Sequence, residues 1–86
     1  MKRATIGRIV IYHTTEAEQE VMRNGTNCNV QEHLPAVVVA NWTDPSVTEG
    51  SQCLNLKVEL DGVGQLWKTS INMGEEPGCW SWPEIK

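Results

Sequence analysis

The residues in this chain able to do acid–base, nucleophilic or metal chemistry are few and widely spaced: His13 and His33, Cys28, Cys53 and Cys79, and the adjacent Glu75 and Glu76. Cys28, His33, Cys53 and Cys79 amount to a zinc ligand set by type, but a structural zinc site draws its ligands in close pairs from tight turns, and no such pair occurs. The expectation is therefore no metal. An odd number of cysteines without a C-x-x-C likewise argues against a disulfide framework. No serine or cysteine lies in a nucleophile motif such as G-x-S-x-G, so no catalytic residue is assigned. Glu75 and Glu76 would point apart in an extended stretch, unlike paired carboxylates facing one substrate, and read as a solvated turn. Gly62-Val63-Gly64 lacks a following helix whose N-terminus could hold phosphate. These readings point to a protein that is not an enzyme and carries no cofactor.

Binding chemistry is better represented. Trp42, Trp67, Trp80 and Trp82 accompany a single tyrosine, Tyr12, and no phenylalanine. In a thin domain such rings fill volume, each burying roughly 150–250 Å². They can also line a groove in which indoles stack on a base, a proline or another flat group. Trp80 and Trp82, next to Pro83, are the preferred groove candidates, with Trp82 nearest the rim, and Trp67 and Tyr12 complete the aromatic set. Arg8, Lys57 and Lys68 fall on strands. Their ordinary place is a solvated outer face, but converging at one mouth and repeated by symmetry in an oligomer they would form an anion pocket. The expected ligand-binding set is thus Trp80, Trp82, Trp67, Tyr12, Arg8, Lys57 and Lys68.

A net charge of −4 with dispersed acidic residues opposes binding of long DNA or RNA, which needs a clustered basic face. A small anion needs only two or three cations or backbone amides. With 86 residues the chain can build only a thin core, which small domains supplement with disulfides, metal or oligomerisation. The first two being disfavoured, a homo-oligomer is expected. Residues 1–86 show no repeat or linker and read as one domain. The apolar stretch after Met1-Lys2-Arg3 stops at Tyr12-His13 without a small-residue cleavage site, so a cytosolic protein with free thiols is expected. Asn24-Gly25-Thr26 and Asn41-Trp42-Thr43 match the glycosylation pattern without consequence there. No apolar run approaches the roughly 20 residues that span a bilayer as a helix.

The elements that must position these residues are mostly strands. Gly7–His13 is β-branched and aromatic, with Ile9 and Ile11 on one side and Val10 and Tyr12 on the other. Thr15 and Glu18 form a capping-box pattern, Arg23 falls in the last turn and Gly25 can end a helix, yet the stripe of Ala17, Val21 and Met22 is short. The segment is either a short helix or a loop through Asn29. Ala36–Trp42, after Pro35, is a continuous apolar run that suggests a central strand buried on both faces. Asp44-Pro45-Ser46 is turn chemistry. Leu54, Leu56, Val58 and Leu60 alternate with Asn55, Lys57 and Glu59 as a half-exposed strand. Asp61-Gly62 then signals a hairpin into Gln65–Ile71, with Trp67, Thr69 and Ile71 sharing a face. The chain closes on Cys79–Glu84, an edge or terminal strand because Pro83 cannot donate to a ladder. The fold class is mostly β: a five-stranded, strongly bent sheet or SH3-like barrel, with at most one short helix in the first long loop.

In this arrangement Gly7-Arg8-Ile9-Val10-Ile11-Tyr12, Pro35-Ala36-Val37-Val38, Asn55 to Gly62, Leu66-Trp67-Lys68-Thr69-Ser70-Ile71 and Gly78-Cys79-Trp80-Ser81-Trp82-Pro83-Glu84 resemble a group of small, mostly uncharacterised bacteriophage proteins. The resemblance covers nearly the whole chain except Thr14 to Leu34 and Thr43 to Ser51. Its most specific part is the closing Trp-x-Trp-Pro-Glu; relatives often carry threonine and histidine at the places of Cys79 and Ser81. It implies phage origin, a small β-barrel and action in the host cytoplasm, and brings no reaction with it. Two functions are then expected. One is a phage-encoded binding protein that sequesters a small nucleotide-like host defence signal. The other is a virion or host-protein adaptor that recognises a peptide or protein through an aromatic surface.

Overall fold

One antiparallel sheet of five strands in the order β4-β3-β2-β1-β5, with a single helix, makes up the computed structural model. It describes residues 4–25, 30–43, 52–62 and 64–83. The elements are β1 (Ile9–His13), α1 (Glu16–Gly25), β2 (His33–Asn41), β3 (Leu54–Glu59), β4 (Gln65–Ile71) and β5 (Trp80–Ser81). The Met1-Lys2-Arg3 start, the Cys28 thiol, the Asp44-Pro45-Ser46 turn, Val63 and Glu84 lie outside the described residues. All five expected strands form, and of the two readings of the first long connection, helix or loop, the helix forms over Glu16–Gly25. Of the two expected architectures the chain adopts the sheet, which is open because β4 and β5 occupy opposite edges.

The strands bury one face. Val10 and Tyr12, Leu34, Ala36 and Val38, Leu54, Leu56 and Val58, Ile71 and Trp80 form the core with Ala4 and with Met22 from α1. The β2 reading is corrected here: Ala36 and Val38 are buried, whereas Val37 and Val39 on the other face are only half-buried. An apolar run suggested cover on both sides, but α1 packs on one. The strand also begins before Pro35. His33, Leu34 and Pro35 have register partners on β1 and none on β3, so the missing proline N–H falls where the ladder has already ended.

Two β-bulges meet at Asn55. The register of β2 against β3 slips between Val38 and Ala40, and that of β4 against β3 slips between Leu54 and Leu56. A bulge adds a residue to one strand and reverses which face the following side chains take. This overturns the shared face expected for Trp67, Thr69 and Ile71. Trp67 and Thr69 are exposed, while Ile71, beyond the bulge, pairs with Leu54 and is buried. Ser70 takes the strain at φ 57°. The Asn55 side-chain carbonyl compensates by accepting the Ser70 N–H at 2.9 Å, the Thr69 hydroxyl at 3.0 Å and the Trp42 indole N–H at 2.9 Å. Asn55 therefore faces away from the core and is nonetheless buried.

The helix starts on the capping box read from the sequence. The Glu18 N–H donates to Thr15 Oγ1 at 3.2 Å and the Thr15 N–H to Glu18 Oε1 at 2.8 Å. The same carboxylate accepts the Tyr12 hydroxyl from β1 at 2.8 Å and pairs with Lys68 Nζ from β4 at 2.6 Å. Lys68 stands in register with Leu56, on the helix-covered face.

Replacing Asn55 by leucine removes the shared acceptor of the Ser70, Thr69 and Trp42 donors, which sit on exposed residues, and is expected to cost about 1 kcal/mol, the net worth of a protein hydrogen bond. Urea unfolding with an unchanged m-value measures it. A loss below about 0.5 kcal/mol, the scatter of ordinary surface substitutions, would show that the bulges do not depend on this side chain.

Candidate functional site

The last residue of β1 and the first of β2, His13 and His33, are direct register partners. The backbone of His13 turns the other way: its N–H donates to the Cys79 carbonyl at 2.9 Å and its carbonyl accepts the Gly78 N–H at 2.7 Å. Gly78 makes that approach at φ 88°, a left-handed conformation that costs glycine little. The Gly74 N–H reaches the Trp80 carbonyl at 2.8 Å and the Trp80 N–H reaches the Asn72 carbonyl at 3.1 Å, folding the connection against β5. Ser81 then pairs with Ile11 on the face away from the core. The result is an open cleft of about 590 Å³ lined by Ile11, His13, His33, Met73, Gly74, Glu75, Ser81 and Trp82.

Inside the cleft three side chains form a line. Ser81 Oγ lies 2.8 Å from His13 Nε2, and His13 Nδ1 lies 2.9 Å from His33 Nδ1. The imidazoles meet edge to face at 86°. Two nitrogens at that distance share one proton, because two N–H groups cannot bond to each other. If His13 carries it on Nδ1 and donates to His33, its Nε2 is free to accept the Ser81 hydroxyl. Burial holds the His13 pKa below its ordinary 6.5, the neighbouring His33 adds to the depression, and Glu75 partly offsets both. The resting His13 ring is neutral near pH 7.

The residues expected to bind ligand do not gather in one place. Trp80 is 0% exposed and its indole N–H donates to the Gln52 carbonyl at 2.9 Å, so it is a core ring. Tyr12 is buried beneath α1. Trp82, half-buried, meets Trp80 edge to face with centroids 5.2 Å apart, and the Arg8 guanidinium lies over its ring at 5.8 Å. Lys57 and Trp67 are cross-strand partners, both exposed on the open face, while Lys68 is on the opposite face with Glu18. Lys57 and Lys68 therefore do not share a mouth. From the expected set the cleft keeps Trp82, with Arg8 against its ring. It adds His13, His33, Ser81 and Glu75, which the sequence reading had set aside. Alternation separated Ile9 and Ile11 from Val10 and Tyr12 without saying which side is covered, and it could not supply the β1–β2 register and the β1–β5 pairing that bring His13, His33 and Ser81 together. Cys53 and Cys79 are free, half-buried thiols.

Compared with family models, with curated proteins and with solved structures, the chain matches none of them. The reading of the cleft rests on its own geometry.

The pKa directions fix a stability profile. A depressed histidine pKa means the unfolded chain binds the extra proton more readily, so the His13 contribution is whole above about pH 6.5 and is lost as pH falls through the folded value. Burial pushes the Glu18 carboxyl up, but the Lys68 ammonium, the Thr15 N–H and the Tyr12 hydroxyl together hold it below its ordinary 4.5, which adds a second loss at lower pH. The melting temperature is expected to fall between pH 7 and 5 and to fall further below pH 4.5. The first step should be absent in His13→Gln. A first step of equal size in that variant would assign it to another group.

Proposed function

We propose that this domain is a non-enzymatic binding protein whose cleft holds a small, flat, nucleotide-like ligand. The observation that carries the reading is the placement of a half-buried indole, Trp82, on the rim of a cleft whose floor is the Ser81, His13 and His33 chain. A base can stack on the indole at a gain of about 1–3 kcal/mol. Glu75 can accept from a ribose hydroxyl or an exocyclic amine, and Ser81, His33 and the Arg8 guanidinium can donate to a phosphate oxygen. In the phage setting that the sequence resemblance implies, a protein with this cleft would act in the host cytoplasm as a homo-oligomeric sponge for a defence signal, with no chemistry required.

One observation favours the adaptor reading. Trp42 and Trp67 are 65% and 61% exposed, and Ile9, Val37, Lys57 and Trp67 stand side by side across four strands of the open face. Exposed aromatic rings of this kind are common anchors for a protein partner.

The two readings separate on different tryptophans. Quenching of tryptophan fluorescence and thermal shift against mononucleotides, linear and cyclic dinucleotides should reveal a ligand. Trp82→Ala should melt within a few degrees of the parent and lose affinity by about 10- to 100-fold, matching the stacking energy. Salt should weaken binding if phosphate is engaged. Silence across the panel, with a defined protein partner lost in Trp67→Ala but kept in Trp82→Ala, would replace the ligand reading by the adaptor one.

A further inference from the structure

We infer that Ser81 is a general-base-activated nucleophile, able to take an acyl group from a small ester whose flat alcohol portion lies against Trp82. This rests on the same cleft and the same stacking of a flat group on Trp82, and departs from the proposed function in one respect: the cleft turns its ligand over instead of only holding it. The geometry is that of an activated hydroxyl in general: a nucleophile within hydrogen-bond reach of a base, and the base oriented by a third group. Ser81 Oγ is 2.8 Å from His13 Nε2, and the far nitrogen of that ring is held at 2.9 Å by His33 Nδ1. The hydroxyl lines an open cleft, where a substrate can reach it.

The proposed role sets the tautomers. For His13 Nε2 to accept the serine proton, His13 must carry hydrogen on Nδ1 and donate it to His33 Nδ1, which leaves the His33 proton on its Nε2. Ser81 Oγ then adds to the ester carbonyl carbon while its proton passes to His13 Nε2. The carbon–oxygen bond to the alcohol breaks, and the departing oxygen takes that proton. Water completes the cycle: it adds to the acyl carbon, gives a proton to His13 Nε2, and the Ser81 oxygen leaves with that proton as the carboxylic acid is released. No oxidant, metal or co-reactant beyond water is needed. His13 is a catalytic residue in this scheme and His33 a positioning residue. The cleft walls select the substrate class. Ile11, Met73 and Trp82 favour an apolar, flat group, and Glu75 disfavours an anionic acyl chain beside the serine.

The test uses the whole chain with two probes, a fluorophosphonate and p-nitrophenyl acetate. Intact mass should show one phosphonyl adduct per chain, and peptide mapping should place it on Ser81 rather than on Cys53 or Cys79. The labelling rate should fall as pH is lowered through the depressed His13 pKa, which lies below the ordinary histidine value, as the base becomes protonated. Ser81→Ala should keep its melting temperature within a few degrees and lose the acetate burst, because the oxygen that accepts the acyl group is gone. His33→Gln should slow labelling and shift its pH profile, a response that loss of packing alone would not give. Labelling of the parent at no residue or only at a cysteine, or an undiminished burst in folded Ser81→Ala, would overturn the inference. The nucleotide panel reads binding alone, so the two failures are distinguishable: silence there leaves Ser81 labelling standing, and no labelling of Ser81 leaves the non-enzymatic binding reading standing.

Discussion

Glu18 does two things that are usually divided between residues: its carboxylate accepts the Thr15 N–H that begins α1, and it receives the Tyr12 hydroxyl and the Lys68 ammonium from the sheet. A ten-residue helix with a short apolar stripe is marginal by itself. Fastening its first turn to strands β1 and β4, which are not neighbours in the sheet, gives it a fixed position over the core. Met22 can then join the core cluster, and Tyr12 can be buried with its hydroxyl satisfied. The pKa pattern is the electrostatic record of the same contact: burial first, then the Glu18 carboxylate, pushes the Tyr12 phenol up, and its donors hold Glu18 down.

Much of this fold was written in local signals. The capping box at Thr15 and Glu18, the alternation from Leu54 to Val58 and the Asp61-Gly62 hairpin each depend on residues a few positions apart, and each is present in the structure. What local signals do not encode is which face receives cover and where the register slips. The half-covered Val37 and Val39 and the reversal between Thr69 and Ile71 arise from those two causes. Asn55 shows the difficulty. In a strand pattern it is one more polar residue on the outer side. Its role as acceptor for Trp42, Thr69 and Ser70 exists only once β2 and β4 lie beside it.

The cleft was harder still to read, because none of its parts forms a motif along the chain. His13 and His33 come together by strand register, and Ser81 arrives by pairing of β5 with β1. Tryptophan number was a poor guide to location. Trp80 went to the core, Trp82 to the cleft rim, and Trp42 and Trp67 to the open face. Neighbouring indoles in one sequence motif thus serve different physical ends, the first satisfied by the Gln52 carbonyl and the second left half-covered.

The pairing that completes the cleft is also the least local in the molecule. β2, β3 and β4 follow one another in sequence and lie side by side, whereas β5 must return across the intervening chain to reach β1, and it does so over two residues, Ile11 with Ser81 and Tyr12 with Trp80. Closing so long a loop is entropically costly and is repaid by few ladder bonds. The topology leads us to expect that the central strands pair first and that Trp80 closes the core as β5 docks. A short edge strand opens at lower free energy than the sheet it caps, so the β5 side of the cleft is expected to exchange its amide hydrogens before β2 and β3 do. Its histidines stay anchored on β1 and β2 while the serine and the indole rim travel together on the terminal segment.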